Sequence, residues 1–334
     1  MCKTTLRRWI AAVAVLLNMA SAGYAQKITS FDPPGSTATT ATAINSDGEI
    51  AGYYLDAAGI AHGFLRHESG TITSFDPPGA VFTTAQAINS DGQIAGTYSD
   101  AVTSRGFLRH EDGTFTSFDA PGSTSTAVTG LNSAGQVVGY YFDTTQRWHG
   151  YLRQGNGSFA SFDPPGAVVT FAQAINSAGQ IAGYYYDVVF RPHGFLRQSD
   201  GTIIPFDVPF SFDTLAIAIN RQGQIAGYYE GPLGGTLGPH GFLRQTDGSF
   251  ALFDAPGPFT IVKAVNSTGQ IAGFYQGTGG THGFLRKNDG TIVSFDRTGS
   301  SGTFAFAINS EGQITGYYTD AVGVAHGFVR GGDE

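Results

Sequence analysis

The sequence predicts an all-β fold, a seven-bladed β-propeller with four antiparallel strands per blade. Three observations predict it. One motif recurs seven times, marked by Phe-Asp steps at Phe31, Phe75, Phe118, Phe162, Phe206, Phe253 and Phe295, spaced 44, 43, 44, 44, 47 and 42 residues apart. A period near 44 built from short strands is the signature of a propeller blade or a related repeat array. Each copy holds four short segments rich in β-branched and aromatic residues, with no helical period running through them. Finally, the repeat frame is permuted. Residues 27–32 read as a fourth strand with no blade before it, and residues 326–330 as a third strand with no fourth after it. The first should complete the last blade and close the ring, removing the exposed edges that seed aggregation.

Each element of the repeat has a local reason. The first strand ends in Ala-Ile-Asn, as at Ala87-Ile88-Asn89, and a small residue precedes the Ile or its substitute in every copy. That suits an innermost strand, where blades converge. An Asn-x-x-Gly turn follows, from Asn45/Gly48 through Asn309/Gly312. Gly supplies the left-handed residue of such a turn, and Asn folds its side chain onto the turn backbone. The second strand is Gln-Ile-Ala-Gly-Tyr-Tyr, as at 180–185, and the third is His-Gly-Phe-Leu-Arg, as at 193–197. Asp-Gly or a variant joins the third to the fourth, Thr-Ile-x-x-Phe-Asp, as at 202–207. A Pro-Gly exit then ends pairing, because Pro removes a ladder donor.

Residues 1–25 lie outside the repeat. Lys3, Arg7 and Arg8 precede an apolar run from Ile10 to Leu17, and Gly23-Tyr24-Ala25 offers small residues for cleavage. The reading is a secretory signal peptide over 1–25 and a single propeller domain over 26–334, secreted, extracellular or periplasmic, with no membrane insertion after cleavage. The only cysteine, Cys2, leaves with the peptide, so the domain has no disulfide and no thiolate metal site. Without those three cations, 15 Lys plus Arg stand against 26 Asp plus Glu, a net of −11. An acidic chain with no basic cluster excludes nucleic acid as a partner. A monomer is expected.

The repeat Ala-Ile-Asn-Ser-x-Gly-Gln-Ile-Ala-Gly followed by His-Gly-Phe-Leu-Arg resembles the bacterial extracellular HAF repeat. The resemblance covers essentially the whole domain. The His-Ala-Phe step that names that family reads His-Gly-Phe here, at Gly63, Gly150, Gly194, Gly241, Gly283 and Gly327, and Arg follows where the family often has Trp. The resemblance implies a secreted repeat protein and brings no catalytic residue with it.

Chemistry carried by every copy is best read as framework, because an active site needs one asymmetric place. This applies to the histidines His62, His149, His193, His240, His282 and His326, and to the Asp after each Phe, expected to cap the Pro-Gly turn. No metal-ligand cluster, phosphate loop or nucleophile elbow is present, so no catalytic residue, metal or cofactor is assigned. Function is sought where the copies disagree. Arg105 replaces the repeated His. Arg147-Trp148 marks blade 3, Phe190-Arg191 blade 4, and Phe212 the loop leading into blade 5. Lys263 sits on the inner strand of blade 6, where the others carry Thr42, Gln86, Thr129, Gln173, Ile217 or Phe306. Aromatic rings beside Arg suit a carbohydrate, including an acidic one, since rings stack on sugar faces and guanidinium pairs with carboxylate. The expected function is a secreted binding or scaffold module recognising an extracellular or envelope glycan, or a protein, through loops on one face. The alternative is a propeller-fold polysaccharide lyase or glycosidase acting on an acidic polysaccharide, with Arg105, Tyr141, Arg147 and Arg191 as nearest candidates.

Overall fold

A computed structural model describes residues 27–231 and 238–332; the expected signal peptide and most of the long loop of the fifth repeat lie outside them. Among the described residues there are 28 strands and no helix. They fall into antiparallel groups of four, here numbered as units 1 to 7. Unit 1 comprises Ala38–Ile44, Ile50–Leu55, Ala61–Arg66 and Ile72–Phe75. The same order repeats over 82–118, 123–162, 169–206, 213–253 and 259–295. Unit 7 takes Gly302–Ile308, Ile314–Thr319 and Ala325–Arg330 from the end of the chain and Ile28–Phe31 from its start. That last pairing is antiparallel, with Ile28 opposite Arg330 and Phe31 opposite Gly327.

The repeated words of the sequence become contacts between units. The first-strand Thr at the same place in every unit (Thr39, Thr83, Thr126, Thr170, Thr214, Thr260, Thr303) is fully buried. The third-strand Phe lies under the sheet of its own unit and meets the fourth-strand Phe of the preceding one edge-on, as Phe64 meets Phe31 at 6.0 Å and Phe195 meets Phe162 at 6.0 Å. The Arg that ends each third strand reaches back over that same preceding ring. Arg109 lies over Phe75, Arg197 over Phe162 and Arg286 over Phe253, all at about 5 Å. Arg66 does this to Phe31 at 5.0 Å, so the contact crosses from unit 1 to the strand at the other end of unit 7. The buried Nε of six of these arginines has no hydrogen-bond partner among the described residues, so the ring face is what offsets their desolvation.

Glycine of the His-Gly-Phe step has a steric cause. A Cβ on Gly194 would lie 2.6 Å from the ring of Phe206, and on Gly106 2.2 Å from Phe118. The fourth-strand ring lies flat on the third-strand backbone, and alanine does not fit beneath it.

The Asn-x-x-Gly turns do more than turn. Each Asn side chain accepts from backbone N–H groups of its own turn, and its amide donates to the Asn carbonyl of the next unit. Asn45 bonds to Asn89 (3.2 Å), Asn89 to Asn132 (3.1 Å), Asn132 to Asn176 (3.0 Å), Asn176 to Asn220 (3.0 Å), Asn220 to Asn266 (3.1 Å) and Asn266 to Asn309 (3.0 Å). Asn309 donates back to Asn45 at 3.0 Å. These groups are buried, so each bond also settles a carbonyl that water cannot reach.

Candidate functional site

The histidines are built into the frame. His62 Nδ1 meets Asp76 at 2.7 Å and its Nε2 lies 3.5 Å from Asp56, while its ring packs on Tyr54. His149 stands likewise between Asp163 and Asp143, His193 between Asp207 and Asp187, and His326 between Asp32 and Asp320. His240 keeps Asp254 and His282 keeps Asp296. The Asp after Phe was expected to cap its turn. It instead bonds the His or Arg of its own unit, and Asp32 and Asp163 also join two units through Thr39 and Thr170. Asp32 accepts from His326 of unit 7 and, at 2.6 Å, from Thr39 of unit 1. The hydrogen bond to Asp76 raises the His62 pKa above its ordinary 6.5, and that to Asp296 does the same for His282. For His326 burial is the largest influence and pulls the pKa down, but the hydrogen bonds and charges of Asp32 and Asp320 together outweigh it and leave the pKa raised.

Arg105 performs the histidines' task in unit 2. Its Nε donates to Asp100 at 2.9 Å and its guanidinium to Asp119 at 2.7 Å. Both carboxylates occupy the places that flank His elsewhere. Arg105 is therefore committed to the frame of unit 2.

Those other candidates gather across units 3, 4 and 5. Trp148 lies against Phe142 (4.8 Å), Tyr140 (5.4 Å) and Phe171 (6.1 Å). Phe171 continues the wall to Tyr184 and Tyr186. These rings are half-buried, and burial raises the pKa of the Tyr140, Tyr184 and Tyr228 phenols. Beside Trp148, the exposed Arg147 donates to the Ala167 carbonyl at 3.2 Å. Arg191 of unit 4 donates to the carbonyls of Ser211 and Phe212, fastening its loop to the one that leads into unit 5. Around that clamp the side chains of Val188, Val189, Phe190, Phe210 and Phe212 are exposed, Phe190 by 71%, Phe210 by 79% and Phe212 by 62%.

The backbone marks the same sector. Among the described residues three that are not glycine have left-handed φ: Gln146 (65°), Phe190 (60°) and Phe210 (63°). They lie in the loops of units 3, 4 and 5. At the place of Phe190, units 1 and 7 carry Gly59 and Gly323, with φ 76° and 90°. At the place of Phe210 stand Gly35, Gly79, Gly166 and Gly299, all near 82°. Phe210 was visible as a departure from Gly in the repeat alignment. Its exposure and strain were not.

Lys263 stands apart from this sector. The first strand of every unit carries a β-bulge, and Lys263 is the bulge residue of unit 6, as Thr42 is of unit 1 and Gln86 of unit 2. A bulge re-aims its extra side chain, and here Thr40, Thr42, Tyr53, Gln86, Lys263 and Phe306 line one cavity of about 230 Å³. Residues of units 1, 2, 6 and 7 converge on it, which puts it at the centre where those units meet. Lys263 Nζ lies 5.1 Å from the Phe306 ring centre and 5.8 Å from that of Phe274. Burial lowers its pKa.

Among the described residues no group of three or more His, Cys, Asp or Glu could hold a metal ion, and no helix is long and apolar enough to cross a membrane. The sequence matches no family profile and no curated protein. Solved structures do match. A streptogramin B lyase is 14% identical with a TM-score of 0.61, covering 91% of this chain and 97% of its own. The β-propeller domain of the trilobed protease of Pyrococcus furiosus is 7% identical with a TM-score of 0.60, covering 89% and 95%. The lectin BP39L of Burkholderia pseudomallei is 12% identical with a TM-score of 0.55, covering 88% and 95%. At these identities the likeness concerns the fold alone. The chain has a propeller-like all-β fold.

Proposed function

We propose that this chain is a secreted binding propeller of seven blades, a relative of the HAF-repeat proteins, whose loops on blades 3 to 5 recognise an extracellular or envelope glycan. The run of Asn bonds that returns from Asn309 to Asn45, the Arg66–Phe31 stack and the pairing of Ile28–Phe31 with Ala325–Arg330 support a closed ring.

One observation carries the choice of sector. Every non-glycine left-handed residue among the described ones lies in the loops of units 3 to 5. A bulky residue in that conformation costs about 1–2 kcal/mol, and such strain collects at binding and catalytic sites. The cost is borne beside Arg147, Trp148, Arg191 and Phe212. Half-buried rings whose edges carry phenol hydroxyls, flanked by guanidinium, suit a sugar face and its acidic substituents.

The test uses Trp148 itself, the only Trp outside the first 25 residues. In a chain starting at Gln26, a bound oligosaccharide should shift its fluorescence, and a glycan array should show the same ligand. A silent array with no Trp148 response to neutral or acidic glycans refutes the glycan reading. Release of unsaturated uronides would make the protein a lyase instead. The exposed run of Val188, Val189, Phe190, Phe210 and Phe212 favours a second reading, a protein partner docked on that patch.

A further inference from the structure

The central cavity around Lys263 lies outside the sector just described. Its one cation has no carboxylate within ion-pair distance among the described residues, in a chain whose acidic groups outnumber its basic ones by 26 to 18. The five other cavity-lining positions are not charged. A half-buried ammonium without a counter-ion is costly; the rings of Phe306 and Phe274 offset part of that cost, and an anionic ligand would supply the missing charge. The remaining lining specifies that ligand further. Tyr53 offers a phenol and Gln86 a side-chain amide, neither with a hydrogen-bond partner among the described residues, and Thr40 adds a hydroxyl. Thr42 is already engaged, donating to the carbonyls of Ala51 and Ala85. Phe306 and Phe274, whose ring centres are 6.4 Å apart, both present rings to the same flank of the amine.

We propose that this cavity is a second binding site, for a small hydroxylated monocarboxylate whose carboxylate pairs with Lys263 Nζ while its hydroxyls meet Tyr53, Gln86 and Thr40. Charge fixes the first part. One ammonium balances one negative charge, and there is no guanidinium fork or second cation to hold a phosphate or sulfate dianion. Volume fixes the second part. About 230 Å³ is below the ~300–1,000 Å³ typical of sites for drug-sized ligands, which limits the occupant to a free hydroxy acid or a single uronate ring. Lys263 replaces Thr, Gln, Ile or Phe at the bulge of the other units, and each of those could fill the same place without a buried charge.

Isothermal titration calorimetry of the chain from Gln26 tests this with four probes: D-glycerate, D-glucuronate, glycerol and sulfate. Binding of glycerate or glucuronate, with none of glycerol or sulfate at the same concentrations, is the expected result. Glycerate alone identifies the occupant as a free hydroxy acid, and glucuronate alone as a sugar unit. Lys263→Met should reduce the binding at least tenfold and melt no lower than the parent, because it removes an unpaired buried charge. Carboxylate binding that survives Lys263→Met, equal binding of sulfate, or no binding of either carboxylate at 10 mM overturns the proposal. The Trp148 fluorescence reading lies in other units, so the two sites fail or succeed independently.

Discussion

The side-chain amide of Asn309 donates to the backbone carbonyl of Asn45 at 3.0 Å, across 264 positions of sequence. The bond is the same one that every other unit makes to its sequence neighbour. Asn309 also bonds Gln313 through its amide (2.7 Å) and accepts from the Gln313 N–H (2.9 Å). Asn220 makes the matching set, to Asn266, to Gln224 Oε1 and from the Gln224 N–H. Asn309→Ala and Asn220→Ala should therefore cost the same, about 2–3 kcal/mol each, from three hydrogen bonds at about 1 kcal/mol apiece. Urea unfolding measures both. If Asn309→Ala is milder by 1 kcal/mol or more, the seam between units 7 and 1 is open in solution.

The strand Ile28–Phe31 carries the other half of that seam. Its removal would strip the Ala325–Arg330 strand of its partner, leave Arg66 without its ring, and free both His326 and Thr39 from Asp32. An unpaired edge of that kind also invites aggregation. A chain starting at Pro33 should melt well below one starting at Gln26, and a synthetic peptide of residues 26–34 should restore part of the loss. Equal melting temperatures would refute strand closure.

The strand plan was legible because each signal is local. Asn-x-x-Gly, Asp-Gly and Pro-Gly mark turns within a few residues, and the permuted frame announced which strand pairs with which. The contacts between units were not legible. The Arg of Leu-Arg was an unexplained departure from the HAF pattern until its partner proved to be the Phe one unit back, as Arg109 on Phe75. The change from Ala to Gly in the His-Gly-Phe step has its reason in a ring that lies on it, 2.6 Å from where a Cβ of Gly327 would be in the case of Phe31. Among the candidate residues, difference from the repeat was a fair guide to location but blind to task. Arg105 differs from His in type and matches it in its two Asp partners. Lys263 differs in both, and only the bulge brings it to the centre.

Stability should fall as pH rises above neutrality. His62 and His282 are held protonated by Asp76 and Asp296, and their folded pKa lies above the ordinary 6.5. A raised folded pKa gives stability that is complete below about 6.5 and lost as pH climbs through the folded value. The partner side has the opposite sign. Backbone N–H groups, led by that of Arg147, lower the Asp143 pKa to about 2, so its contribution is complete above 3.8 and lost as pH falls toward 2. The most stable range should thus lie between about pH 4 and 6.5. Thermal melts at about pH 5.5 and 8.5 should show the drop. His62→Arg, which copies the Arg105 arrangement, should make it smaller because arginine does not titrate there. A melting temperature that is flat over this interval, or a drop unchanged in His62→Arg, contradicts the assignment.

Phe190 and Phe210 give the sharpest test of the loop sector, because stability and binding should move in opposite directions. Both sit at positions where other units place a left-handed Gly, and both leave the ring in solvent. Nothing in the packing of the frame rewards this. Replacing either with Gly removes strain of about 1–2 kcal/mol and restores to the unfolded chain the extra freedom of Gly, worth about 0.5–1 kcal/mol. The net is a gain of about 0.5–1 kcal/mol for each, visible as a higher melting temperature in Phe190→Gly, Phe210→Gly and the double variant. The turn bonds to Asp187 and Val208 stay in place, since they use backbone atoms. Arg191 still clamps the two loops, so the sector keeps its shape. If the rings are retained for binding, the double variant should lose most of its affinity for whatever ligand the array or a partner search identifies. A double variant that is more stable and binds unchanged would move the binding surface away from these two loops and onto the Trp148 wall.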